Sequence, residues 1–122
     1  MVIEDDTDVR EMVVMALESA GYEVEGARHG REAISLLLVP NGYGVLLLDM
    51  RMPVMDGWQF AAALHRDPAL NHYHSIPIIV LTAAADAARW AQEIGAAGYL
   101  AKPFSMHDVL GIVTGFLGAA DG

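Results

Sequence analysis

The chain has 122 residues and a mass of 13.1 kDa, enough for one domain with a substantial core. Sixteen Asp and Glu against seven Lys and Arg leave a formal charge of −9, which disfavours direct binding to nucleic acid or to anionic membranes. There is no cysteine, hence no disulfide framework or thiol chemistry, and a cytoplasmic setting is expected.

Apolar runs alternate with amphipathic stretches along the whole chain. Met1-Val2-Ile3 predicts a strand over 1–3, and two acids, Glu4 and Asp5, follow at once. That strand is shorter than the usual five or six residues, which fits either a late start or the loss of preceding residues. A helix is expected over 7–20, because Val9, Met12, Val13, Ala16 and Leu17 recur at i, i+3, i+4, i+7 and i+8. Asp6 or Thr7 can cap it and Gly21 ends it. A strand over 22–27 and a helix over 30–39 come next. The strand over 43–48 carries the run Val45-Leu46-Leu47-Leu48 and stops on Asp49. Its continuous apolarity, like that of the strand over 76–81, marks strands covered on both faces, as parallel strands are.

A helix over 57–66 follows the third strand. A helix over 86–95 buries Ala87, Ala88, Trp90, Ala91 and Ile94 and closes at Gly95. A strand over 98–101 precedes a helix over 106–118, whose apolar side is Val109, Leu110, Ile112, Val113, Phe116 and Leu117. Five βα repeats predict an α/β fold: a doubly wound, five-stranded parallel sheet flanked by five helices. The domain is expected over 1–118, with a small-residue tail over 119–122. No run approaches the roughly 20 apolar residues of a membrane helix, and no secretory leader pattern opens the chain.

In an open parallel sheet, ligands bind beyond the carboxyl ends of the strands. Glu4 and Asp5 follow strand 1, Asp49 ends strand 3, Thr82 ends strand 4 and Lys102 follows strand 5, so the fold alone puts all five on one rim. Like charges gathered this way are costly unless a cation binds. Hard oxygen ligands suit Mg²⁺. Three carboxylates with Mg²⁺ carry about −1, and Lys102 brings the site near neutral, able to receive a phosphoryl group. Asp49 is the nucleophile candidate, nearest the middle of the rim; Thr82 and Lys102 would donate to the phosphoryl oxygens. Taken singly, each residue has a plainer reading: a helix cap, a strand end, a surface lysine. Their joint placement carries the reading.

These positions resemble the receiver domain of two-component response regulators. The matching segments are Val2-Ile3-Glu4-Asp5-Asp6, Leu46 through Gly57 (Leu-Leu-Leu-Asp-Met-Arg-Met-Pro-Val-Met-Asp-Gly), Ile78-Ile79-Val80-Leu81-Thr82-Ala83 and Gly98-Tyr99-Leu100-Ala101-Lys102-Pro103-Phe104. The resemblance implies a flavodoxin-like sheet of strand order 2-1-3-4-5. It also implies phosphoacceptance by Asp49 from a sensor histidine kinase or histidine phosphotransfer protein. Mg²⁺ would be held by Asp5, Asp49 and the main-chain carbonyl of Arg51, with Glu4 acting through water. Asp6 is left outside the site. A cis Lys102-Pro103 bond is common in the family. Thr82 and Tyr99 match the switch pair, and the responding surface would run over helix 4, strand 5 and helix 5 toward a downstream protein.

The long stretch Asp67 to Ser75 is expected to stand away from the rim, and Arg51 and Ala84 occupy positions that influence phosphoryl lifetime in the family. Such a module catalyses its own phosphorylation and dephosphorylation without being an enzyme on other substrates. Two other classes share part of this pattern: a constitutive interaction domain never phosphorylated, and a Mg²⁺-dependent aspartyl phosphohydrolase. The second needs an acid two residues after its nucleophile, where this chain has Arg51. His72-x-His74 lacks a third metal ligand, and Gly95-Ala-Ala-Gly98 lacks the lysine of a phosphate loop. A free-standing receiver and one cut from a hybrid kinase or larger regulator both remain open.

Overall fold

The computed structural model describes residues 1–39 and 41–118, so the expected tail over 119–122 lies outside the described residues. Five parallel strands, β1 (Val2–Ile3), β2 (Gly26–Ala27), β3 (Leu46–Asp49), β4 (Ile78–Ala83) and β5 (Gly98–Lys102), form one sheet in the order β2-β1-β3-β4-β5, as expected. The helices are α1 (Thr7–Ser19), α2 (Gly30–Leu37), α3 (Gly57–Arg66), α4 (Ala84–Ile94) and α5 (Met106–Leu117).

Successive residues of a strand face opposite sides, and the core divides accordingly. Ile3, Leu46, Leu48, Ile78 and Val80 pack with Ala33 and Leu37 of α2, Phe60 and Leu64 of α3, and Trp90 and Ala91 of α4. Val2, Leu47, Ile79 and Leu81 pack on the other side with Val13 and Leu17 of α1 and Val109 and Val113 of α5. The unbroken apolar runs therefore serve two cores at once.

Several element boundaries differ from the sequence pattern. β2 has two residues rather than six because its neighbour β1 offers only two partners, Val2 to Gly26 and Ile3 to Ala27. The ladder is extended only by Val2 N donating to Glu25 O at 2.8 Å and Glu4 N to Ala27 O at 2.9 Å. α2 ends at Leu37, short of the expected 39, and α4 starts two residues early, at Ala84, with no side-chain cap on Ala83. Gly95 stops α4 with φ 69°, a left-handed turn that glycine adopts at little cost. At α1 the cap is Asp6, whose carboxylate accepts from Val9 N.

Residues Pro68–Tyr73 form a 3₁₀ helix that buries Leu70 and Tyr73 in the same core as α3. Ala88 is exposed, so the buried side of α4 is Ala87, Trp90 and Ala91. Phe116 and Leu117 are also largely exposed, contrary to the pattern. They lie over Gly98 and Gly44, which have no side chains to enclose them.

Candidate functional site

The chain runs outward from β1 to β2 on one side and to β3, β4 and β5 on the other, so the topological switch point lies between β1 and β3. Register places the site there. Ile3 pairs with Leu48, so Glu4 and Asp49 leave the sheet level with each other. One strand further on, Asp49 pairs with Leu81 of β4, Thr82 with Ala101 and Ala83 with Lys102.

Carboxylate oxygens of Glu4, Asp5 and Asp49 all lie within 4.8 Å of one another. Glu4 is 0% exposed and Asp49 5% exposed, whereas Asp5 is open to solvent. Lys102 Nζ sits 2.6 Å from Glu4 Oε1 and 3.7 Å from Asp49 Oδ1, one ammonium against three acids. Glu4 Oε2 accepts from Asp6 N at 3.2 Å. Glu4 Oε1 is buried and accepts no hydrogen bond of proper geometry, so the Lys102 charge is its sole compensation among the described residues. Arg10, absent from the sequence-based site, steadies the turn by donating from Nη1 to Glu4 O at 2.8 Å. The contact runs from α1 back to the turn after β1, six residues away, a spacing that no helix pattern reveals.

Burial raises the Asp49 pKa to about 8, reinforced by Glu4 and Asp5 and opposed by Lys102. Burial also acts to raise Asp5, but hydrogen bonds with Asp49 and Glu4 outweigh it and leave Asp5 below the ordinary aspartate value. For Lys102 burial favours the neutral amine, yet Glu4 and the Asp49 charge prevail and raise its pKa. In the metal-free cluster this crowding favours a proton on Asp49. A divalent cation can replace that proton. The donor set is all hard oxygen, with one buried oxygen lacking a hydrogen bond, and this fits Mg²⁺ better than a softer metal.

The segment between β3 and α3 is held on several sides. Arg51 N donates to Asp49 Oδ1 at 3.3 Å and Gly57 N to Met50 O at 3.0 Å. A Cβ on Gly57 would come within 2.7 Å of Met50 Cα and 3.0 Å of Asp49 O, so only glycine permits this close return. Asp56 caps α3 through a reciprocal pair with Gln59. Val54 takes φ 68°, a strained conformation for a β-branched residue.

Arg51 makes no ion pair among the described residues, although its backbone touches the acidic cluster. Its guanidinium carbon lies 5.0 Å from the centroid of the Trp90 ring on α4. Trp58 packs edge-on against Trp90 at 4.8 Å and donates to Glu93 Oε2 at 3.0 Å.

Each expected residue is accounted for. Glu4, Asp5, Asp49 and Lys102 converge; Arg51 adjoins Asp49; Thr82 is buried on the neighbouring strand. Tyr99 stands on β5, 47% exposed, and the Lys102-Pro103 bond is cis.

A family model described as the response regulator receiver domain matches residues 1–114. The transcriptional regulatory protein SrrA of Staphylococcus aureus is 34% identical over 112 residues, 90% of this chain and 44% of SrrA. The chain thus spans less than half the length of that relative. Among solved structures, the chemotaxis response regulator CheY4 of Vibrio cholerae superposes with TM-score 0.81 at 32% identity, covering 94% of each chain. The CheY-like receiver domain protein of Methanospirillum hungatei does so with TM-score 0.81 at 36% identity, covering 97% of this chain and 92% of that one. The receiver domain of the sensor histidine kinase PA1611 of Pseudomonas aeruginosa, which has a magnesium ion coordinated in its active-site cleft, gives TM-score 0.81 at 28% identity. It covers 96% of this chain and 94% of its own.

Proposed function

Because this chain belongs to the response regulator receiver domain family, we propose that Asp49 is its phosphoacceptor in two-component signalling. The receiver unit is taken as residues 1–118. The observation that carries the assignment is the buried carboxylate of Asp49, set among Glu4, Asp5 and Lys102 where the strand order reverses. Phosphoryl transfer forms a bond from Asp49 Oδ to phosphorus and breaks the P–N bond of a phosphohistidine on a histidine kinase or phosphotransfer protein. The histidine nitrogen leaves with its electron pair and later takes a proton from water. Lys102, whose Nζ lies 3.7 Å from Asp49 Oδ1, offers an ammonium to the oxygens of a transferred group, and Thr82 offers a hydroxyl.

Mg²⁺ would be held by Asp5, Asp49 and the Arg51 carbonyl, with Glu4 acting through water. When bound, it supplies charge neutralisation for the phosphoryl oxygens. Thr82 and Tyr99 form the switch: a hydroxyl drawn to the phosphoryl group leaves space for the ring, which can move inward from its half-exposed place on β5. The readout surface is α4, β5 and α5, facing an effector protein in the cytoplasm. Among the described residues no helix is long and apolar enough to cross a membrane.

Incubation with acetyl phosphate and Mg²⁺ tests the assignment by intact mass. Wild type should gain one phosphoryl group and Asp49→Asn none. Label retained on the folded variant moves the acceptor elsewhere.

A further inference from the structure

The Arg51 side chain has an unusual choice of partner. Three carboxylates lie close to its own backbone, yet the guanidinium reaches to the face of Trp90 on another element, 5.0 Å from the ring centroid. Trp90 is a fixed platform: it is 6% exposed, belongs to the core beneath α2, α3 and α4, and is buttressed edge-on by Trp58. Arg89 also approaches the ring, at 5.9 Å, but it is tied to Asp86 of its own helix at 2.6 Å. Arg51 is thus the cation that links the segment after Asp49 to α4.

Resting on the assignment of Asp49 as phosphoacceptor, we infer that Trp90 is a positioning residue for Arg51. It holds the guanidinium on its ring while Asp49 is free and yields it to the phosphoryl oxygens once Asp49 is modified. The relative strengths set the direction. A cation–π contact made by an exposed arginine such as Arg51 is held weakly, whereas a guanidinium on a phosphoryl group makes short, charge-assisted, often bidentate hydrogen bonds. The free carboxylates do not draw Arg51 away because the Lys102 ammonium already faces two of them, 2.6 Å from Glu4 Oε1 and 3.7 Å from Asp49 Oδ1. An acyl phosphate carries roughly two negative charges where the free carboxylate carries one, on oxygens that reach further from the backbone, which changes the balance. The consequence is a second link between the acceptor and α4, separate from the Thr82–Tyr99 pair: α4 loses a contact to the segment after β3 on phosphorylation.

The test uses Trp58→Phe, which leaves Trp90 as the only indole, and follows two signals before and after acetyl phosphate with Mg²⁺. One is Trp90 emission; the other is the Arg51 Nε–Hε NMR resonance, shifted upfield by the ring in the free protein. Phosphorylation should move the Arg51 resonance downfield and change Trp90 emission. In the added variant Arg51→Met, which keeps the side-chain length without charge, the emission response per phosphoryl group gained, counted by intact mass, should fall by at least half. Trp90→Phe should keep a reduced upfield shift, and Trp90→Leu should abolish it. A mass gain with an unmoved Arg51 resonance overturns this inference alone, as does an equal emission response per phosphoryl group in Arg51→Met. No mass gain overturns both it and the phosphoacceptor assignment.

Discussion

Asp49→Asn should stabilise the metal-free protein, and by an amount that depends on pH. The folded state holds the Asp49 proton up to a pKa of about 8, against 3.8 for an ordinary aspartate. The unfolded chain loses that proton earlier, so the wild-type folded state weakens as pH rises from about 4 toward 8. Asparagine has no such proton to lose. A rise of roughly four units corresponds to at most ~6 kcal/mol at about 1.4 kcal/mol per unit. Water and the part-exposed Lys102 ammonium screen the site, so about half of that or less is expected, ~2–3 kcal/mol at pH 8. At pH 4.5 the gain should be below ~1 kcal/mol, since most of the range then lies above the working pH. Urea unfolding of both proteins in EDTA at the two pH values measures the difference directly. Millimolar Mg²⁺ should then narrow the gap at pH 8, because an ion that binds only the folded wild-type cluster adds stability there. A gap equal at both pH values, or a variant less stable than wild type at pH 8 in EDTA, would refute the electrostatic account of the cluster.

Lys102→Met should destabilise the fold by about 2 kcal/mol at pH 7, because Glu4 is left buried without its countercharge. The double variant Glu4→Gln/Lys102→Met should regain most of that in the same urea titration; failure to do so would mean that the pair is not the cause. Gly57→Ala should cost about 3 kcal/mol, since the new methyl meets the Met50 backbone rather than a yielding side chain. It should also lower the yield of acetyl-phosphate labelling by shifting Asp49. Val54→Gly should raise the thermal midpoint, with a gain of roughly 0.5–1 kcal/mol from released backbone strain net of unfolded-state entropy. Val54 is 65% exposed, so little packing is lost; an unchanged or lower midpoint would count against strain there.

Much of this was legible because sheet topology converts sequence position into spatial position. Once Val45–Leu48 and 76–81 are read as doubly covered strands, the residues just past them must share a rim. The shared rim of Asp49, Thr82 and Lys102 follows from that alone. What escaped was set by partners distant in sequence. Tyr22 to Glu25 look like strand, yet β2 is limited by the two residues its neighbour presents. Phe116 and Leu117 fit the apolar stripe of α5 but lie over glycines. Trp58 and Trp90 read only as aromatic residues at the start and flank of their helices; their edge-on pairing, and the guanidinium that Trp90 receives from across the molecule, depend on how α3 and α4 meet. Arg10 gave no signal because its partner, Glu4 O, lies six residues back, outside the i, i+3 and i, i+4 spacings of a helix.

The odd–even division of strand residues bears on how this chain can be altered. Leu46 and Leu48 belong to one cluster and Leu47 to the other, with the backbone between them. Truncations on opposite sides of the sheet share no side-chain neighbours within these clusters, so their energetic costs should sum, whereas two truncations on one side should deviate from additivity. Either layer could then be redesigned while the other keeps the sheet, and the acids at its edge, in register.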